Sequence, residues 1–198
     1  MEKFDRNKLF KTLYSPKTEP SLVRVPSCPY FVVEGEGLPL DEAYDEAVEL
    51  LYELSYELKI GFKGEPWYQG FVVSPLEGVY SAIEVENRDS WRWKSMIAQP
   101  PFVTEEIFTK VAERCSFSKG VSVKDAYFEH IEDGLCVTMM HIGPYAQENR
   151  SFERMDRFCL KNKVQRLDAT HREIYLSNPK KTEPEQLKTV LRYRVERI

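Results

Sequence analysis

The sequence predicts an α+β domain in which helices pack on one face of an antiparallel sheet. A strand, a helix and two further strands follow one another in the first half of the 198-residue chain, and the same order returns in the second half. The predicted strands outnumber the helices, and no glycine-serine linker interrupts the chain. We therefore expect a single domain over residues 1–198, built from a duplicated β-α-β-β repeat with a ligand groove between its pseudo-symmetric halves.

The first repeat is assigned to residues 30–100. It follows an N-terminal arm, residues 1–29, whose prolines predict a segment that lies over the domain surface. The elements of the repeat are a strand at 30–37, a helix at 41–59 and two strands at 69–74 and 91–98. The helix has a broad apolar stripe and acidic residues at its start, where the helix dipole favours negative charge.

A connector, residues 101–122, separates the repeats, and Thr104 is the expected N-cap of its helix. The second repeat is assigned to residues 123–198 and begins with an extended segment. Glu132-Asp133-Gly134 then predicts a hairpin turn into the next strand. The later elements are a strand at 136–143, a helix at 147–161 and two strands at 171–177 and 189–197.

Charge and hydropathy argue against two classes of partner. The net charge is -4 and lysine and arginine are scattered, so the basic surface that nucleic-acid binding requires is missing. No apolar run approaches the roughly 18 residues that span a bilayer, and the first six residues are too charged for a signal peptide. We expect a cytoplasmic protein without membrane or direct nucleic-acid partners.

Common metal and cofactor motifs are also missing from the sequence. The four cysteines lie far apart without a CxxC pair, and the three histidines form no HExxH motif, so buried free thiols and no metal are expected. There is no nucleophile elbow, P-loop or dinucleotide fingerprint. We therefore expect neither a cofactor nor classical hydrolase chemistry.

The first candidate site residues are aromatic. Trp91 and Trp93 are two residues apart and so share one face of a predicted strand, and Tyr68 and Tyr80 belong to the same half of the chain. Tryptophan stacks well on planar or cationic ligands. The alternative is that these side chains form an ordinary aromatic core.

The second candidate is a polar strand near the C-terminus. Strict alternation places His171, Glu173 and Tyr175 on one side, with Ile174 facing the helix-covered core. A carboxylate enclosed by aromatic groups acts either as the counter-ion of a cation or as a base with a raised pKa. The alternative is a solvated polar face.

The third candidate follows the strand that ends near residue 143. His141 precedes a Gly143-Pro144 turn, which sets Tyr145 at the mouth of the expected cleft, unless the turn is purely structural. Glu77 follows the segment at 69–74 and has the same two interpretations, a site residue or a surface turn residue.

Several short motifs, taken in order, resemble the GyrI-like small-molecule-binding family. They are LYSPK at 13–17, VxVP at 23–26, GxG at 35–37, PLEG at 75–78, WxWxxMI at 91–97, HIGPY at 141–145 and EIYLSxP at 173–179. The resemblance implies the duplicated fold found in effector domains of multidrug-sensing regulators, with ligands bound between the repeats. No helix-turn-helix precedes the domain, so a DNA-binding regulator is not expected.

The stand-alone members that this chain resembles include cyclopropanoid cyclopropyl hydrolases, which open a strained ring inside an aromatic cage. By this resemblance, Trp91 and Trp93 match the family's tryptophan strand. Glu173 and Tyr175 match its carboxylate-tyrosine strand, and Tyr145 matches the tyrosine of its glycine-proline-tyrosine turn. One departure is that Val-Tyr-Ser at 79–81 replaces a Leu-Trp-Trp pattern, which implies a smaller cage wall.

Three functions remain open from the sequence. A hydrolase would use Glu173 to position or deprotonate water and Tyr175 or Tyr145 to steady the phenolate that forms. A sequestering protein would bind hydrophobic or cationic xenobiotics without changing them. A protein partner is the third alternative, and the sequence leaves the oligomeric state open.

The two repeats are predicted to contribute differently to the groove. Where the first repeat has Trp91 and Trp93, the second has Leu191 and Tyr193, and where the first has Gly70, the second has Glu173. We expect aromatic walls from one repeat and the carboxylate from the other.

Overall fold

The computed structural model describes residues 3–37, 41–82, 91–115 and 123–198. Within these ranges the chain forms mixed α/β structure with antiparallel strand pairing and several helices, as predicted. No helix in these ranges combines the length and the apolar character needed to cross a membrane.

The elements are numbered in chain order. The helices are α1 (Arg6–Leu9), α2 (Lys11–Tyr14), α3 (Glu42–Gly61), α4 (Glu105–Arg114) and α5 (Glu148–Asn162). The strands are β1 (Ser21–Val25), β2 (Cys28–Glu36), β3 (Leu76–Ala82), β4 (Trp91–Ala98), β5 (Ala126–Ile131), β6 (Gly134–Ile142), β7 (Val164–Arg166), β8 (His171–Tyr175) and β9 (Lys188–Arg197).

The chain divides into two compact units. The first contains Met1–Arg6 and Cys28–Ile131, and the second contains Asn7–Ser27 and Glu132–Ile198. Each unit runs through a strand, a long helix and two further strands, which are β2, α3, β3 and β4 in one and β6, α5, β8 and β9 in the other. A duplication as the origin of this order stays a prediction.

In the first unit, β2 pairs with β4 and β5, and β4 pairs with β3. Helix α3 presents the predicted apolar stripe, with Leu50, Leu51 and Leu54 fully buried. Helix α4 has the predicted N-cap, because the side-chain oxygen of Thr104 accepts a hydrogen bond from the Ile107 N–H.

In the second unit, β6 pairs with β1 and β9, and β9 pairs with β7 and β8. Met155 and Cys159 of α5 pack against one face, beside Leu191. Leu13 and Tyr14 of α2 pack in a second cluster that includes Ile174. Helices therefore cover both faces of this sheet, where the sequence predicted helices on one face only.

The strand predicted at 69–74 is wrong. This segment makes only an isolated bridge between Phe71 and Phe4, and the strand that pairs with β4 is β3, which begins directly after Pro75. Phe71 is buried and its ring contacts that of Tyr68. The apolar side chain at this position therefore serves core packing and does not indicate a strand.

Strand register corrects the two matches that the sequence suggested between the halves. The pairing of Gly78 with Ser95 in the first unit corresponds to the pairing of Glu173 with Leu191 in the second. Gly78, not Gly70, is therefore the residue of the first unit that is equivalent to Glu173. Trp93 pairs with both Tyr80 and Gly35, and Thr189 pairs with both Tyr175 and His141. Thr189, not Tyr193, is therefore the residue of the second unit that is equivalent to Trp93.

The predicted hairpin at residues 132–134 is also wrong, since β5 pairs with β2 while β6 pairs with β1 and β9. Asp133 instead binds the buried Arg172, with 3.0 Å between carboxylate oxygen and guanidinium nitrogen. The N-terminal arm does more than lie over the surface, because its residues Ser21–Val25 form β1.

Candidate active site

One group of predicted site residues is aromatic and lies in the first unit. Tyr80 and Trp93 are direct cross-strand partners. Tyr44, from the first turn of α3, has its hydroxyl oxygen 2.9 Å from that of Tyr80, and its ring meets Trp93 edge-on with centroids 5.1 Å apart. All three side chains are buried. We call Tyr44, Tyr80 and Trp93 the aromatic cluster.

Two glycines make room for the aromatic cluster. A Cβ added at Gly35, opposite Trp93 on β2, would overlap the indole ring. A Cβ added at Gly78 would lie 2.6 Å from the Tyr80 hydroxyl oxygen. Both rings therefore lie flat against strand backbone, a packing that any larger residue at these positions would disturb.

Two other predicted aromatic residues have different outcomes. The Tyr68 hydroxyl donates to the Lys59 carbonyl oxygen at 2.7 Å, and the Tyr68 ring contacts Phe71 and Phe102. The side chain of Trp91 lies outside the described residues, although its backbone begins β4. Ligand-binding roles for Tyr68 and Trp91 stay predictions.

A second group lies in the second unit and surrounds a carboxylate. Glu173 is only 9% exposed, and its Oε1 is 2.9 Å from Nε2 of His171. The Tyr175 hydroxyl donates to Oε2 of Glu173 at 2.7 Å. The alternation predicted from the sequence is thus observed: β8 brings the imidazole, the carboxylate and the phenol together.

A second carboxyl group completes this arrangement. Glu148 is the first residue of α5 and is 7% exposed, and it lies near enough to Glu173 for the charge of that carboxylate to act on it. Burial, and then the negative charge of Glu173, raise the pKa of Glu148 to about 9. We call Glu148, His171, Glu173 and Tyr175 the carboxylate cluster.

The turn before α5 brings Tyr145 to the carboxylate cluster. Gly143 has a φ of +135°, which favours glycine, and Pro144 follows it. His141 spans the turn: its Nε2 donates to the Pro144 carbonyl oxygen at 3.2 Å. Tyr145 is 38% exposed, and its ring meets that of Tyr175 edge-on. His141 therefore holds the turn that positions Tyr145.

A model of the GyrI-like small molecule binding domain matches residues 18–196, nearly the whole chain. The chain belongs to the GyrI-like family. No curated protein matches it.

Solved structures agree with this membership. An uncharacterized conserved protein from Listeria innocua is 36% identical, with a TM-score of 0.91 over 98% of this chain and 100% of its own. A hydrolase from Listeria innocua is also 36% identical, with the same coverage and a TM-score of 0.90. The C-terminal domain of EcmrR, at 16% identity and a TM-score of 0.55 over 91% of this chain and 98% of its own, shares the fold alone.

In each unit of this GyrI-like domain, the cluster lies on the face of the sheet that the long helix covers. The ring of Trp93 contacts that of Tyr44 of α3, and the charge of Glu173 acts on Glu148 of α5. The sequence placed the site residues on the face away from the helices. The strand alternation was predicted correctly, but the first turn of each long helix reaches the polar and aromatic side chains.

Sequence reasoning missed Glu148 and Tyr44. Both occur in the first turn of a predicted helix, where an acidic residue is explained by the helix dipole and a tyrosine by ordinary packing. For Glu77 the sequence allowed two roles, a site residue or a residue of a surface turn. The structure places it in β3, where it is fully buried and accepts a hydrogen bond from Tyr30 at 3.4 Å. In the described ranges no group of three or more His, Cys, Asp or Glu residues is arranged for a metal ion.

The raised pKa of Glu148 predicts that stability falls as pH rises. Below pH 4.5 the carboxyl is protonated in folded and unfolded chains, whereas between pH 4.5 and about 9 only the unfolded chain has released the proton. The free energy of unfolding should therefore fall by at most about 1.4 kcal/mol per pH unit in this window. Glu148→Gln, which has no ionisable group, should lack this loss.

Chemical denaturation of both proteins across this pH window measures the effect. Glu153→Gln, at an exposed position of the same helix, is the matched control and should follow the wild-type curve. Parallel curves for the wild type and Glu148→Gln would show that Glu148 titrates normally.

Proposed function

We propose that this GyrI-like domain binds a flat aromatic small molecule and hydrolyses an activated electrophilic carbon within it. The carboxylate cluster carries the proposal, because Glu173 is buried, oriented by His171 and Tyr175, and close to a second carboxyl. Such an arrangement suits general base catalysis. The 36% identical hydrolase from Listeria innocua supports the reaction class.

The proposed substrate is a planar electrophile with an activated cyclopropane, as in DNA-alkylating natural products. Glu173 accepts a proton from water, whose oxygen forms a bond to the strained carbon. The bond between that carbon and the conjugated ring breaks, and its electron pair becomes the phenolate. Tyr175 or Tyr145 stabilises the phenolate by hydrogen bonding, and protonation then gives a ring-opened phenol. This reaction would detoxify the compound.

The aromatic residues are proposed to bind and orient the planar ligand. Trp93 and Tyr80 of the aromatic cluster and Tyr145 offer large rings for stacking. Trp91, Tyr68 and His141 complete the proposed set of ligand-binding residues. Trp93 and Tyr80 are both buried, so a ligand reaches these rings only if side chains packed against them, such as Tyr44, move.

A non-catalytic alternative is supported by the same carboxylate. One buried carboxylate beside the rings of Tyr145 and Tyr175 suits a hydrophobic cation, which the domain would sequester unchanged. The net charge of the ligand separates the alternatives, because hydrolysis requires no cationic group.

Mass spectrometry of a planar cyclopropane-bearing electrophile, incubated with the protein, tests the proposal. We expect conversion to the water adduct faster than in buffer alone. Heat-denatured protein is the control for reaction with exposed nucleophiles. Recovery of unchanged ligand at full occupancy would reject hydrolysis in favour of sequestration, and a covalent adduct on the protein would reject both.

A further inference from the structure

We infer that Ser151 is a positioning residue that acts on Tyr145 through His141. By donating a hydrogen bond to Nδ1 of His141, Ser151 fixes the imidazole in the tautomer that carries its hydrogen on Nε2, and this tautomer holds the turn before Tyr145. The consequence for turnover rests on the proposed function. The structural part, which is the tautomer of His141 and the place of Tyr145, does not.

Both ring nitrogens of His141, on β6, have a protein partner. Nδ1 lies 2.9 Å from the hydroxyl oxygen of Ser151 on α5, and Nε2 lies 3.2 Å from the carbonyl oxygen of Pro144. A carbonyl oxygen only accepts hydrogen bonds, so Nε2 carries the hydrogen. In this tautomer Nδ1 is an acceptor, and the Ser151 hydroxyl is the group that donates to it.

Burial makes the choice of tautomer strict. His141 is 5% exposed and Ser151 is 6% exposed, so bulk water cannot readily replace a lost partner of either side chain. A hydrogen on Nδ1 instead of Nε2 would leave the Nε2 lone pair facing the lone pairs of the Pro144 carbonyl oxygen. A buried acceptor without a donor is costly, so the Ser151 hydroxyl favours the tautomer that binds the turn.

The carbonyl oxygen of Pro144 connects the turn to the start of α5. It accepts a hydrogen bond from the Gln147 N–H at 2.9 Å as well as from Nε2 of His141. Tyr145 is the next residue, and its ring meets that of Tyr175 edge-on with centroids 5.9 Å apart. Without the His141 contact the carbonyl group loses one of its two donors, and the ring of Tyr145 shifts relative to Tyr175.

Nuclear magnetic resonance of the free protein tests the structural part without any substrate. Nitrogen-15 spectra of the wild type should show His141 with a hydrogen on Nε2 and none on Nδ1. A hydrogen on Nδ1 would overturn the inference. The nuclear Overhauser effect between the rings of Tyr145 and Tyr175 should be lost in Ser151→Ala and return in Ser151→Thr, which keeps the hydroxyl. An unchanged effect in Ser151→Ala would also overturn the inference.

Ser55→Ala is the matched control, because Ser55 is another buried serine on a long helix. Its hydroxyl donates to the Leu51 carbonyl oxygen and accepts from the Gln99 side chain, and it belongs to the first unit. Its removal should lower stability while the His141 tautomer and the tyrosine signal stay as in the wild type. Loss of the tyrosine signal in Ser55→Ala as well would overturn the inference, because the signal would then report general stability.

Kinetics test the consequence for turnover. Ser151→Ala should lower kcat by roughly 10- to 100-fold, since a small displacement of a site residue costs up to roughly 100-fold in rate. Ser151→Thr should restore the rate, and Ser55→Ala should keep it. In a His141→Phe background Ser151→Ala should cause no further loss, because Ser151 acts through His141.

The outcomes separate the inference from the proposed function. A wild-type rate in Ser151→Ala, or a full additional loss in the His141→Phe background, would overturn the role of Ser151. Absence of turnover in the wild type would reject the proposed hydrolysis alone, and the resonance measurements would then decide the inference.

Discussion

Glu173→Gln is expected to lower the rate of hydrolysis by roughly 100- to 10,000-fold, the usual contribution of a general base. Glutamine keeps the shape of the side chain and can still accept the hydrogen bond from Tyr175, so the fold and the ligand site should persist. It has no lone pair basic enough to take the proton of water. The loss should therefore appear in kcat, with the dissociation constant of an uncharged ligand nearly unchanged.

Single-turnover mass spectrometry measures this rate, and fluorescence quenching or calorimetry measures binding. Glu153→Gln serves again as the control, because it removes an exposed carboxylate without touching the carboxylate cluster. If Glu173→Gln weakened the binding of a cation and left turnover of bound substrate intact, Glu173 would be a counter-ion instead of a base.

Trp93→Ala is expected to lower the free energy of unfolding by about 3 to 5 kcal/mol, the range for large aromatic residues deleted from a core. Trp93 is 4% exposed, contacts Tyr44 edge-on and lies against Gly35. Its removal leaves a cavity that α3 and the sheet cannot close without moving the helix. Urea denaturation at neutral pH measures the loss.

Gly35→Ala, measured alone and combined with Trp93→Ala, tests whether the two residues share one packing contact. Alone, it should cost about 1 to 3 kcal/mol by overpacking, because the new methyl group overlaps the indole ring of Trp93. In the Trp93→Ala background the same methyl group enters the cavity, and its cost should largely vanish. Additive losses would show that the two residues do not share one packing contact. If Trp93→Ala kept native stability but failed to bind ligand, Trp93 would be a mobile residue of the binding site and not a core residue.

Strong local patterns allowed much of the fold to be predicted. The apolar stripe of α3, the bounds of α5 and the Thr104 N-cap all appear at or within a few residues of the predicted positions. The polar alternation of β8 also correctly grouped His171, Glu173 and Tyr175. These features depend on neighbours along the chain, which the sequence displays directly.

Features that depend on distant partners were not predictable in the same way. The segment at 69–74 is apolar because Phe71 enters an aromatic core, and only the pairing of β4 shows that β3 starts later. Glu148 appears from the sequence to be an ordinary acidic residue of a first turn. Its importance follows from the arrival of β8, which buries it and places a second carboxylate beside it.

The contact between Gly78 and Tyr80 limits which residues this chain can hold at position 78. By register, Gly78 stands where the second unit has Glu173, and the Tyr80 hydroxyl occupies the space that a side chain at position 78 would need. A carboxylate could enter the first unit there only by displacing Tyr80 and opening its contact with Tyr44. The first unit therefore keeps an aromatic ring at the position where the second unit has a carboxylate, and each unit keeps its own chemistry.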